Sequence, residues 1–197
     1  MALTEDHAAM RDLVEGIKPI LPRRFYSHFS PNVIDVLGDD YELDSHGTYY
    51  KMGLNLPEKL ADIDVSDVIA LGVDDLAEVQ QLYAESYPNN AFDPRMLETD
   101  CYYGVRHAGK LVAIAGIHVY SPTYRVAALG NITTHPSVRG QGLATAVTAR
   151  LCQALQSAVD TIGLNVHSEN KSALVCYQRL GFEQIATYEE WMVTLKS

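Results

Sequence analysis

His135-Pro136-Ser137-Val138-Arg139-Gly140-Gln141-Gly142-Leu143-Ala144 follows the run Asn131-Ile132-Thr133-Thr134 and precedes a stretch with helical periodicity. A strand enters, a glycine-bearing turn reverses it and a helix leaves. Gly140 and Gly142 permit backbone conformations closed to other residues and let a ligand come close to the main chain. The first-turn N–H groups of the helix after Gly142 have no intrahelical acceptor and can point at an anion. Arg139 adds a permanent fork of donors beside them. The turn is expected to bind phosphate, although a plain strand–turn–helix connection would carry the same glycines. The Walker pattern is absent, since no lysine follows the glycines. The dinucleotide fingerprint fails at Thr145, where a third small residue belongs.

Working outward, Val126 to Thr134 reads as the strand that enters the turn. On the exit helix Leu143, Val147, Leu151 and Leu155 recur every four residues and make one buried face. Cys101 to Val105 and Lys110 to Tyr120 read as paired strands around His107-Ala108-Gly109. Before them come a strand at Val65 to Leu71 and a helix capped by Asp74 or Asp75 that runs to Ser86. Glu85 to Asp100, with one helical turn at Pro94 to Glu98, is a candidate substrate-facing region. After the exit helix, Thr161 to Val166 is a strand, and Asn170 starts a helix that Gly181 ends. Phe182 to Ile185 and Glu190 to Leu195 read as two closing strands.

The N-terminal part reads differently. Glu5 to Lys18 is an amphipathic helix stopped by Pro19, and Asn32 to Leu37 is a short apolar segment. Tyr41 to Asp44 and Thr48 to Leu54 read as a hairpin turning at Ser45-His46-Gly47, with His46 a turn residue. Asn55 to Asp64 reads as a linker. The expected organisation is a small helix-plus-hairpin appendage over residues 1–60 and a mixed α/β domain over residues 65–197.

Hydrophobic residues make up 47% of the 197, enough for a core and too many for disorder. Cys101, Cys152 and Cys176 are far apart and show neither a disulfide framework nor metal-ligand spacing, so no metal is expected. The N-terminus mixes Glu5, Asp6, Asp12 and Glu15 into its apolar residues, unlike a signal peptide. No apolar run approaches ~18 residues. A cytoplasmic protein with no membrane partner is expected. The net charge of −10 disfavours nucleic acid. From Cys101 to Val159 there is no acid, while Arg106, Lys110, Arg125, Arg139 and Arg150 are present. That window holds the phosphate turn and would favour a polyanionic ligand; apolar core strands would also lack acids.

A second stretch, Asn170-Lys171-Ser172-Ala173-Leu174-Val175-Cys176-Tyr177-Gln178-Arg179-Leu180-Gly181-Phe182, lies 31 residues after Arg139. It resembles the signature N-x-x-A-x-x-x-Y-x-x-x-G-F of the GNAT (general N-acetyltransferase) superfamily. Arg139-x-x-Gly142-x-Ala144 resembles that superfamily's pyrophosphate motif Q/R-x-x-G-x-G/A. The likeness spans roughly Val65 to Trp191. Gly130-Asn131-Ile132 and Tyr188-Glu189-Glu190 further resemble the glycine N-acyltransferase-like branch, in which a degenerate GNAT-like half precedes the catalytic half.

The resemblance implies a GNAT fold: a central mixed, mostly antiparallel sheet, splayed where Gly130–Thr134 and Gly163–Val166 part to admit acyl-CoA. It implies acetyl-CoA as acyl donor, with the pyrophosphate at Arg139, Gly140, Gln141, Gly142, Leu143 and Ala144. Ile132, Thr133 and Thr134 would lie along the pantetheine arm, with Asn170 and Ala173 beside it. Tyr177 shares a helix face with Ala173, four residues away, and would protonate the departing thiolate. Asn170 would serve as helix cap as well.

Other polar residues carry weaker implications. Cys176 points to another face and reads as packing. His135 reads as a cap or phosphate contact. The strand before the turn has no acid, so the base is open among a water relayed by Asn131, His118 and a distant Glu. The implied reaction is transfer of an acetyl group to a primary amine, borne by a small molecule or peptide. The alternative is a catalytically idle acyl-CoA sensor of the same fold. A homodimer is compatible with either.

Overall fold

The computed structural model describes residues 6–196, so the expected helix start at Glu5 lies outside the described residues. They form a mixed α+β structure with mostly antiparallel strands, and two compact units can be distinguished. One comprises Met1–Met52, Asn165–Lys171 and Gln184–Ser197; the other comprises Gly53–Leu164 and Ser172–Glu183.

In the first unit, α1 (His7–Ile17) begins at Asp6, whose carboxylate accepts the Ala9 N–H at 2.9 Å. A 3-10 turn carries the chain past Pro19. The next segment, unassigned from the sequence, forms β1 (Arg24–Phe29) and pairs antiparallel with β8 (Phe182–Leu195) from Arg24↔Thr194 to Phe29↔Glu189. Val14, Phe29, Val33, Ile34, Leu37, Tyr41 and Val193 make its core.

The expected hairpin does not form. Tyr41–Leu54 is one continuous strand, β2. Gly47 does take a left-handed φ of +98°, as a turn glycine would, but the His167 imidazole occupies the place of its missing Cβ. The glycine therefore admits a ring instead of reversing the chain. The two closing strands are likewise one, β8.

In the second unit, residues 55–64 are not a loose linker. A 3-10 segment, Pro57–Asp62, buries Leu60, and Gln153 donates to the Leu60 carbonyl at 3.0 Å. The expected strand at Val65 to Leu71 shrinks to β3 (Ile69–Ala70). α2 (Leu76–Ser86) follows a short turn in which Asp75 accepts the Gly72 N–H at 2.8 Å.

β4 (Tyr103–His107), β5 (Lys110–Ser121) and β6 (Val126–Thr134) form an antiparallel meander, and β6 pairs in parallel with β7 (Thr161–His167). α3 (Leu143–Leu155) returns the chain from β6 to β7, and both α2 and α3 pack on β5. Val147, Leu151 and Leu155 are buried on the face that their spacing announced. α4 (Lys171–Arg179) follows β7.

Candidate active site

The turn expected to bind phosphate lies at the C-terminal end of β6. Its 3-10 segment, Pro136–Val138, is capped by His135, whose Nδ1 accepts the Ser137 N–H at 3.3 Å. Nε2 of His135 stands 3.4 Å from a Glu85 carboxylate oxygen, so the imidazole joins the turn to the end of α2. Arg139 Nε donates to the Thr134 carbonyl at 3.1 Å, which ties the guanidinium to the strand end while the side chain stays exposed. Gly140 and Gly142 have φ of +79° and +82°. Gly142 begins α3, whose first bond runs from Ala146 N–H to the Gly142 carbonyl at 3.0 Å. The N–H groups of Leu143, Ala144 and Thr145 therefore lie in the unbonded first turn.

A cavity of about 410 Å³ opens at this helix end, lined in part by Gln141, Gly142, Leu143, Thr145, Ala146 and Arg179. Thr134 Oγ1 is buried nearby in sequence with no hydrogen-bond partner among the described residues. A free helix N-terminus, an open glycine backbone and a guanidinium suit an anionic, phosphate-bearing ligand.

The acid-free window is not acid-free in space. Arg106 is engaged by Glu78 (2.9 Å) and Asp75 (2.6 Å). Arg125 makes a bidentate pair with Asp160 at 2.7 and 2.8 Å. Arg150 lies over the Tyr103 ring, 5.1 Å from its centroid. Asp62, Asp64 and Asp67 come to the rim of the cavity itself. Sequence distance hid these partners. The positive groups that remain at the turn are Arg139, Arg179 and the helix end.

β6 carries a bulge beside the turn. Gly116 faces Gly130 and Ile114 faces Thr133, so Asn131 and Ile132 together oppose Ala115. Asn131 takes φ of +54°, a region that asparagine tolerates. Thr134 pairs with Ala113. On the other side, Ala128↔Gly163 and Leu129↔Leu164 are paired. Gly163 and Leu164, expected in the splayed segment, are thus held in the parallel ladder.

On α4, Tyr177 is 8% exposed and packs edge-on against Phe182, with centroids 5.9 Å apart. Burial raises its phenol well above the ordinary value, with the neighbouring Cys176 and Tyr87 adding to the rise. The hydroxyl therefore keeps its proton at neutral pH. Cys176 is also raised by burial and contacts Thr145 Oγ1 at 3.3 Å, consistent with packing. Gly181 has φ of +97°. Ala173 and Tyr177 fall in the second unit with the turn; Asn170, directly before α4, falls in the first.

The sequence profile of the acetyltransferase (GNAT) family matches residues 73–182. The chain belongs to the GNAT family. Among solved structures of this family, a GNAT-family putative acetyltransferase of Novosphingobium aromaticivorans is similar in fold, with a TM-score of 0.68 and 20% identity over 93% of this chain and 80% of that one. A GNAT-family acetyltransferase of Colwellia psychrerythraea gives a TM-score of 0.67 and 18% identity over 98% and 74%. The Escherichia coli ribosomal-protein-S18-alanine N-acetyltransferase gives 0.50 and 21% over 66% and 93%. At these identities the likeness to GNAT structures is one of fold. An uncharacterized protein of Mycobacterium leprae (strain TN) is 31% identical over 121 residues, and the chain spans about a third of its length (32%).

Asn131 and His118, both weighed from the sequence as candidates for the base, are joined by two tyrosines that were not. Asn131 Oδ1 lies 3.1 Å from His118 Nε2, its Nδ2 donates to the Tyr102 hydroxyl at 3.1 Å, and its carbonyl accepts from the Tyr83 hydroxyl at 2.8 Å. Tyr83 and Tyr102 gave no motif. Two glycines inside strands were the available signal. The Tyr102 ring fills the space a Cβ on Gly116 would need, and the His118 ring does the same at Gly130. Among the described residues, no group of three or more His, Cys, Asp or Glu could hold a metal, and no helix is long and apolar enough to cross a membrane.

Proposed function

We propose that this GNAT-family chain is an N-acyltransferase that takes an acetyl group from acetyl-CoA and gives it to a primary amine, on a small molecule or a peptide. Direct attack by the amine on the thioester carbonyl breaks the C–S bond, and the sulfur leaves with the bonding pair. Tyr177 supplies the proton that the leaving thiolate takes up. The observation that carries this reading is the placement of Tyr177. It is a buried phenol held in its protonated form, on the helix one turn beyond Ala173, in the same unit as the phosphate turn. Burial keeps the phenol protonated at neutral pH, so a proton is in place for the sulfur as the C–S bond breaks.

The residues of the turn support the donor side. Arg139 and the first-turn N–H groups of α3 would hold the pyrophosphate, and Ile132, Thr133 and Thr134 would line the arm. Asn170 and Ala173 would flank it. Release of free thiol from acetyl-CoA, measured across a panel of aliphatic amines, amino acids and peptides, tests the reading. Amine-dependent release is expected. Acetyl-CoA binding with no release for any amine would favour the idle sensor instead.

A further inference from the structure

We propose that His118 is the general base that takes the proton from the attacking amine, and that Asn131 and Tyr102 fix which of its nitrogens is free to do so; this rests on the acyltransferase reading above. The Tyr102 hydroxyl faces two groups that can only accept, the Ile117 carbonyl at 3.1 Å and the Met96 sulfur at 3.3 Å, so its one proton is directed to them. Its oxygen is left to accept, and the Asn131 amide presents Nδ2 to it at 3.1 Å. The other Nδ2 hydrogen faces the Met96 sulfur at 3.5 Å. Asn131 Oδ1 is thereby turned to His118, and it too can only accept. The proton of the neutral imidazole must therefore sit on Nε2, and Nδ1 carries the lone pair.

The relay is built into the strands. Gly116 and Gly130 are cross-strand partners, and their missing side chains make room for the Tyr102 and His118 rings. Asn131 and Tyr102 are buried, whereas His118 is exposed, so the chain of bonds runs from the interior to a base that solvent and substrate can reach. Tyr83 on α2 clamps the Asn131 carbonyl. Asn131 stands on the bulge directly before Ile132–Thr134, the strand segment that leads to the phosphate turn. The relay residues Tyr83, Tyr102, His118 and Asn131 and the buried phenol of Tyr177 belong to the same unit.

The proton account closes. Nδ1 takes a proton from the ammonium, and the freed nitrogen pair attacks the carbonyl carbon. The C–S bond breaks, and the sulfur takes the Tyr177 proton. The second amine proton returns to the tyrosinate through solvent, and the imidazolium releases its own to solvent. The net products are amide, CoA thiol and one proton.

The test is thiol release from acetyl-CoA by His118→Gln, with the fastest acceptor of the amine panel and with hydroxylamine, whose nitrogen is uncharged at neutral pH. Glutamine keeps a donor to Asn131 and removes the base. With the ammonium acceptor, kcat is expected to fall by about 100-fold or more. With hydroxylamine the rate should stay within about threefold, and acetyl-CoA affinity should not change. Tyr102→Phe keeps the ring but frees the Asn131 amide to turn. It should lower kcat for the ammonium acceptor while sparing hydroxylamine, a split that mere loosening of the fold would not produce. Equal rates for His118→Gln and wild type with the ammonium acceptor would overturn the assignment, as would an equal loss with both acceptors. A wild-type protein that releases no thiol with any amine would instead bring down the acyltransferase reading, and the base with it.

Discussion

The carbonyl of Gly181 accepts the N–H groups of both Asn55 and Leu56, each at 3.1 Å, and the Leu56 carbonyl fills the place where a Cβ on Gly181 would stand. The glycine of the second motif therefore does two things. It ends α4 with a left-handed φ, and it admits another stretch of backbone against the helix end, one residue before Phe182 packs on Tyr177.

Gly181→Ala should be destabilising by about 2–4 kcal/mol, since left-handed strain of ~1–2 kcal/mol adds to a clash with main chain that cannot rotate away. Gly109 is the control. Its φ is +79° but the space around it is open, so Gly109→Ala should cost only the strain, about 1–2 kcal/mol. Urea midpoints at constant m-value would compare them. Equal losses at the two positions would show that the Leu56 contact yields.

Tyr177→Phe should lower kcat by about two orders of magnitude and leave acetyl-CoA affinity nearly unchanged, because the ring and its packing on Phe182 remain. Measuring kcat and the acetyl-CoA Kd on the same variant separates the roles. Unchanged turnover, with chemistry rate-limiting, would take Tyr177 out of the mechanism.

The charge pairing makes a graded prediction for donor binding. Arg139→Ala should weaken acetyl-CoA binding by roughly 1.5–3 kcal/mol, the worth of a charge-assisted hydrogen bond. Gly142→Val should do worse, since a β-branched residue suits neither φ of +82° nor close approach of a phosphate. Arg125→Gln should be silent within about 0.5 kcal/mol, because Arg125 is already spent on Asp160. Calorimetric titration of the three variants would check the order. A large loss at Arg125 would restore the long-range field that the structure argues against.

Stability should be lost at alkaline pH. Burial raises the phenols of Tyr83 and Tyr177 above their unfolded values. A group raised on folding gives its full contribution below the unfolded pKa, here about 10, and loses it as pH climbs toward the folded pKa. The unfolding free energy should therefore be insensitive to these phenols up to about pH 9. It should then fall by ~1.4 kcal/mol per pH unit for each. Tyr83→Phe should lower stability at pH 7, by losing the bond to the Asn131 carbonyl, yet flatten the alkaline decline. An unchanged alkaline slope in that variant would mean that Tyr83 titrates normally.

What the sequence by itself determined was local. The strand entering the turn, the helix leaving it and the stop at Gly181 follow from β-branched runs, four-residue apolar spacing and glycine placement, all acting within a few residues. The two family motifs were legible for the same reason, and the family they point to is the one whose profile matches residues 73–182. Only the tertiary structure decided what depends on residues far apart in the chain. Gly47 looked like a hairpin turn until His167 was seen in its place. The window from Cys101 to Val159 looked positive until Asp75, Glu78 and Asp160 were seen on its arginines. Asn131 was one polar residue among several until Tyr102, Tyr83 and His118 closed around it. A pairing between residues 13 to 48 positions apart leaves no periodicity to read. The direction of a hydrogen bond, on which the proposed role of His118 rests, exists only once its partners have been brought together.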